Sequence, residues 1–274
     1  MNPSVLLERV GGVSVITLNR PDSKNALDPA TVDLLIQIFR AVRYDDEVRA
    51  VVLTGAGSDF CAGGDVKLMD QGGVGVRTTE QRRAGMTRYR DLVVSISSLD
   101  KPVIAAVDGV AYGGGLSLAL LADIVLVSDR VRMAMVFHRI GLVPDIGAWF
   151  TLPRIVGLQR AKELIFSTRE FAAAEALQMN LALEVHPPEQ LMARALEIAQ
   201  SFETASATAL SLSKQALQSS LQSDLATMLD MEATAQAIAG GSEYARESIR
   251  RFSARESAQF RWPKRSPFND KESK

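Results

Sequence analysis

Apolar positions in the first two thirds of the chain fall into short blocks separated by turn residues and helix-length stripes. Val13-Ser14-Val15-Ile16-Thr17-Leu18 is short and β-branched, which predicts a strand. Asn19-Arg20-Pro21-Asp22-Ser23 ends it. Asp28 followed by Pro29 is a helix start, with Asp as N-cap and Pro at the first helical position. That helix runs to about Tyr44, with Val32, Leu35, Ile36 and Phe39 on one face. Residues 51–54, 103–107 and 124–127 are almost continuously apolar, as in strands buried on both faces of an α/β sheet. The stretch 102–127 reads as strand, turn, helix, strand. Residues 68–83, with Gly72, Gly73 and Gly75, show no period and predict a mobile loop over a site. From about Glu189 only helical patterns follow, at 191–202, 210–221, 225–238 and 242–254. This places a boundary near residue 195, dividing the chain into a core at 1–195 and a helical region at 196–274. An apolar face on that region can pack against another subunit or against the chain's own core; the pattern leaves both open. No internal sequence repeat is visible.

Composition narrows the classes. The chain has 274 residues, enough for one large domain or one domain with a helical appendage. Apolar residues make up 47%, so a sizeable core is available. The formal net charge of −1, without a one-sign stripe, argues against nucleic acid as partner. Asp108, Asp123 and several glycines interrupt the stretch that comes nearest to the roughly 18 apolar residues of a membrane span. The mixed first nine residues do not read as a signal peptide. A single cysteine, Cys61, permits no intramolecular disulfide and fits a cytoplasmic protein. Cys61 reads as a small core residue rather than a nucleophile. The two histidines, His138 and His186, and the scattered acids give no metal-ligand spacing.

Three segments can carry chemistry. In Phe60-Cys61-Ala62-Gly63-Gly64-Asp65 small residues would let a ligand approach the backbone, although an ordinary turn explains them equally well. Gly113-Gly114-Gly115 precedes an apolar helix, and the free amides there can hold an anion; close packing of helix on strand is the competing explanation. The triple glycine lacks the Gly-Lys-Ser/Thr ending of a phosphate-binding P-loop and the spacing of a dinucleotide fingerprint. In Pro144-Asp145-Ile146-Gly147, Asp145 is either a turn former or an acid/base or nucleophilic carboxylate. His138 reads as structural or surface.

Together these segments resemble the crotonase, or enoyl-CoA hydratase/isomerase, superfamily. The resemblance extends in order through Leu18-Asn19-Arg20-Pro21, Lys24-Asn25-Ala26-Leu27, Leu53-Thr54-Gly55-Ala56-Gly57, Ile140-Gly141-Leu142-Val143-Pro144-Asp145 and Leu152-Pro153-Arg154-Ile155-Val156-Gly157. It implies a spiral of ββα turns followed by a helical trimerisation region, and a homotrimer or hexamer. It implies an acyl-CoA thioester substrate, with coenzyme A part of the substrate and no other cofactor required. It implies that the backbone amides of Gly64 and Gly114 form an oxyanion hole. It places the coenzyme near Lys24, Ala26 and Ala62, with Arg255 as a basic residue near it.

The chain departs from the hydratase pattern at two positions. Typical hydratases carry a glutamate two residues after the triple glycine, where this chain has Ser117, and another where it has Phe137. Orienting a water and moving its protons needs such groups. What remains is Asp145, in a segment similar to the enoyl-CoA isomerase branch of phenylacetate degradation, whose corresponding aspartate is the single acid/base. The expectation is a shift of a 3-enoyl-CoA double bond to 2-enoyl-CoA. Hydration of a 2-enoyl-CoA and a non-catalytic acyl-CoA binder are the alternatives. A related dehalogenase would need a histidine where Arg88-Tyr89-Arg90 stands.

Overall fold

The structure is a computed structural model and describes residues 3–71 and 78–264. The chain begins with strands β1 (Val5–Val10) and β2 (Val13–Leu18), then helix α1 (Pro29–Arg43) and strand β3 (Ala50–Gly55). Helices α2 (Val66–Gln71), α3 (Thr79–Gly85) and α4 (Thr87–Ser97) lead to β4 (Val103–Val107) and β5 (Val110–Tyr112). Next come α5 (Gly114–Ala119), β6 (Ile124–Ser128), β7 (Arg132–Ala134), α6 (Ala148–Val156) and α7 (Leu158–Ser167). Then follow β8 (Phe171–Ala172), α8 (Ala173–Gln178), β9 (Glu184–His186) and α9 (Pro188–Ser201). Helices α10 (Ala207–Ser220), α11 (Leu225–Gly240) and α12 (Glu243–Ser253) complete the chain. Asp28 caps α1 as expected, its carboxylate accepting from the Thr31 amide at 2.7 Å.

Six strands form one sheet in the order β1-β2-β3-β4-β6-β9, parallel except for the β1–β2 hairpin. The alternation along each strand sends side chains to two cores. Val13, Val15, Val52, Ile104, Ala106 and Leu126 meet Leu191, Ala195 and Ile198 of α9. Ile16, Leu53, Ala105 and Val127 belong to the larger core, with Leu35 and Phe39 of α1 and Leu92 of α4. Both faces are buried, which is why these strands read as unbroken apolar runs.

A second ladder steps alongside the sheet. Leu27 pairs with Gly64, Cys61 pairs with Ala111, and β5 pairs with β7, which pairs with β8. Each of β2, β3, β4 and β6 is therefore followed by a short strand or bridge and then by helix, a repeat of structure that has no counterpart as a repeat of sequence.

Several elements differ from the sequence expectation. β1 and β9 are strands that the hydrophobic pattern does not mark; β1 is an edge strand exposed from Leu7 to Val10, and β9 has only three residues. Residue 195 falls inside α9, where Ala195 is fully buried against the sheet, so the division at 195 does not coincide with an element boundary. Much of 68–83 is helical, as α2 and α3, while Gly72, Gly73 and Gly75 lie outside the described residues. Among the described residues no helix is long and apolar enough to cross a membrane.

Candidate active site

The C-terminal ends of β2, β3 and β4 open into loops that meet at one corner. Lys24 and Asn25 both take the left-handed backbone conformation, which Asn tolerates better than most residues. Asn25 is buried, and its side chain ties three segments together. Its oxygen accepts from the Arg20 amide at 2.8 Å, and its nitrogen donates to the carbonyls of Ala56 (2.9 Å) and Asp59 (2.7 Å). Arg20 in turn donates to Asp65 at 2.9 Å and to the Ala26 carbonyl at 2.5 Å. The Ala62 amide donates to the Lys24 carbonyl at 2.9 Å. Lys24, Ala26 and Ala62 are thereby brought together, with the Lys24 ammonium 3.5 Å from Asp59. Arg255 stands on the exposed stretch after α12, and among the described residues no hydrogen bond or ion pair joins it to that corner.

The two glycine loops lie against each other. A Cβ on Gly63, whose φ is +90°, would sit 2.7 Å from the Tyr112 carbonyl and 3.1 Å from the Gly114 amide nitrogen. A Cβ on Gly115 would fall 2.1 Å from the Cys61 carbonyl. Only glycine permits this approach. The Leu27 ladder uses the Gly63 carbonyl and the Asp65 amide, which leaves the Gly64 amide out of the pairing. Gly114 is the first residue of α5, where an amide has no partner within the helix. Neither the Gly64 nor the Gly114 N–H is donated to an acceptor among the described residues.

Asp145 reaches the same place from the other side. Its Oδ1 lies 3.6 Å from the Cβ position of Gly114. That oxygen is buried and has no hydrogen-bond partner. Burial pushes the carboxyl up to about 6, outweighing an opposing hydrogen bond from its own backbone. The following residue, Ile146, is β-branched yet has φ +49° and is buried, a conformation that costs roughly 1–3 kcal/mol. Its Cδ1 sits 3.1 Å from the same Gly114 position. Gly147, at φ +77°, then caps α6. Asp145 is thus held by a strained turn against the glycine loops. The turn signal in the sequence is real, and so is the isolated acid.

Phe137 is buried with its ring edge 3.7 Å from the Cβ position of Gly113. Ser117 is fully buried and donates to the Gly113 carbonyl at 3.1 Å, so its hydroxyl is engaged by the helix itself. Neither position supplies a carboxylate. Cys61 is buried, and burial pushes its thiol up to about 12 despite the Gly63 contact, leaving an unreactive sulfur. His138 is exposed and stacks on Phe166, as a surface residue would. Asn25 and Ile146 escaped the sequence reading, since nothing local marks an asparagine as a three-way tie or an isoleucine as strained.

A mostly parallel sheet with a stepped second ladder, glycine loops at the strand ends and a helical C-terminal region makes the fold crotonase-like. The sequence pattern of the family described as Enoyl-CoA hydratase/isomerase matches residues 8–264. The chain belongs to the enoyl-CoA hydratase/isomerase family and is an enzyme of it. The Clostridium acetobutylicum short-chain-enoyl-CoA hydratase is 38% identical over 233 residues, covering 85% of this chain and 87% of that protein. The Escherichia coli 1,2-epoxyphenylacetyl-CoA isomerase is 36% identical over 250 residues, covering 91% and 95%. A crystal structure of an enoyl-CoA hydratase/isomerase from Cupriavidus metallidurans CH34 superposes with TM-score 0.90 at 41% identity, covering 96% of this chain and 98% of that one.

Proposed function

We propose that this enzyme converts a 3-enoyl-CoA into the conjugated 2-enoyl-CoA, with Asp145 as the single acid/base. The observation that carries the reading is the buried, unpartnered Asp145 Oδ1 beside Gly114, in a site whose other two candidate positions are Ser117 and Phe137. Asp145 takes a proton from C2. The bonding electrons move into the thioester as an enolate, whose oxygen is held by the amides of Gly64 and Gly114. Asp145 then returns the proton at C4 as the double bond settles between C2 and C3. One carboxylate suffices because the same proton leaves and returns. Each backbone donor to a developing oxyanion is typically worth roughly 2.7–4 kcal/mol of barrier. Coenzyme A lies over the corner of Lys24, Ala26 and Ala62, with Arg255 as a further basic contact, and the working unit is a homotrimer or hexamer.

Hydration of a 2-enoyl-CoA is the second reading, favoured by the 38% identity to the Clostridium hydratase. Purified enzyme is given a 3-enoyl-CoA and, separately, crotonyl-CoA, and absorbance of the conjugated thioester is followed. Growth of the signal on the first, much faster than its loss on the second, is expected. The reverse order would favour hydration. Asp145→Asn should lower isomerisation at least about 100-fold while acyl-CoA binding persists. Undiminished turnover would refute the role given to Asp145.

A further inference from the structure

One polar group at this site has no part in the mechanism above. Tyr89 stands on α4, half-buried, with its ring packed on the main core. Val93 lies one turn further along the same face of α4, and its methyls come within 3.5 and 3.8 Å of the Cβ position of Gly147. The face that carries Tyr89 is therefore the face that packs on the Asp145-Ile146-Gly147 turn. The register of α4 is pinned from the other side, where Arg88 donates to Asp33 of α1 at 2.6 Å. The Tyr89 hydroxyl makes no hydrogen bond to any described residue, and Asp145 Oδ1 makes none either. A spare donor thus stands on the helix face that packs on the turn carrying a spare acceptor.

We propose that Tyr89 is a positioning residue for Asp145, its phenol O–H acting as hydrogen-bond donor to the ionised carboxylate. This rests on the acid/base reading of Asp145. The charge environment agrees: burial raises the Tyr89 phenol above its ordinary value, and the negative charge of Asp145 is the next contributor. Arg88 opposes the rise, while Asp28 and Cys61 add smaller contributions. The hydroxyl therefore stays protonated, as a donor must, throughout the range in which Asp145 titrates. A donor to the charged form favours that form, so Tyr89 holds the Asp145 pKa below the value that burial alone would give. It also keeps the carboxylate from turning away between proton removal and return.

Tyr89→Phe keeps the ring and removes only the hydroxyl. The Asp145 carboxyl, followed by carbon-13 NMR in the free enzyme, should then titrate at least about half a pH unit higher. The acidic limb of kcat/KM should move up with it, and kcat should fall about 10-fold, as expected for loss of a hydrogen bond to a charged group. A 3-fluorotyrosine at position 89, a stronger donor of nearly the same shape, should move the titration the other way. Unchanged titration and limb in both variants would overturn the inference. Asp145→Asn, run in parallel, separates the two claims. If it retains turnover, the acid/base reading falls. If it is inactive while the Tyr89 variants titrate as wild type, only the role of Tyr89 falls.

Discussion

Asp145 is in a costly position. A carboxyl that ionises normally in the unfolded chain, near 3.8, is held at about 6 in the folded one. Below pH 3.8 both states are protonated and nothing is lost. Between 3.8 and about 6 the unfolded state gives up its proton first, so stability falls as pH rises and then levels off. The penalty above pH 6 is about 2–3 kcal/mol, because each tenfold change in proton affinity corresponds to about 1.36 kcal/mol. Asp145→Asn should therefore be stabilising by up to that amount at pH 8 and close to neutral at pH 3.5, as read from denaturant midpoints. Equal effects at both values would contradict a desolvated carboxylate. The activity has the opposite sign: a base must be ionised, so kcat/KM should decline as pH falls through about 6.

At the scale of elements, α9 is held to the sheet by charge as well as by packing. Glu184 of β9 accepts two hydrogen bonds from Arg194 of α9, each at 2.8 Å, and pairs with His186 Nε2 at 2.8 Å. All three residues are buried. Burial alone would raise the Glu184 carboxyl, but the bonds from His186 and Arg194 outweigh it and hold it at about 2. Such a pair is weak evidence of net stability, yet breaking it strands a buried charge. Arg194→Ala should cost about 3–5 kcal/mol near neutral pH, measured by chemical denaturation. A loss below about 1 kcal/mol would mean that α9 is held by its apolar face alone. The helical pattern at 191–202 was legible because Leu191, Ala195 and Ile198 repeat at helical spacing. The ion pair was not, because β9 is too short to announce itself and its partner lies ten residues away.

For the whole molecule, the helices after α9 leave large apolar side chains in the open. Leu217 and Leu221 near α10, Leu225 and Leu229 on α11, and Ile249 and Phe252 on α12 are all exposed in the single chain. α10, α11 and α12 have no fully buried residue, although Leu210 of α10 and Phe260 beyond α12 pack partly buried against the smaller core. Part of the tail thus covers the chain's own core, and we propose that a second copy covers the side chains that remain exposed. Light scattering on the purified protein should give a mass of three or six chains. Leu229→Arg should reduce that mass, whereas a monomeric wild type would remove the reason for the tail.

Whatever depends on local chemistry and on order along the chain was already legible in the sequence. Strands buried on both faces appear as unbroken apolar runs, the Asp28-Pro29 cap is local, and each glycine loop is visible as a run of residues without side chains. The spacing of these loops and of Asp145 was enough to imply the family. Whether those residues meet was a matter for packing. It set a Cβ on Gly63 within 3.1 Å of the Gly114 nitrogen and placed Asp145 Oδ1 beside it without a partner. It also set Tyr89 on the helix face that packs on the same turn. Desolvation, strain and proximity between distant segments arise only when the chain is packed, and no local pattern encodes them. The same physics sharpens the two readings of Asp145: it sits in a turn, and the turn is what holds a buried acid against the glycine loops.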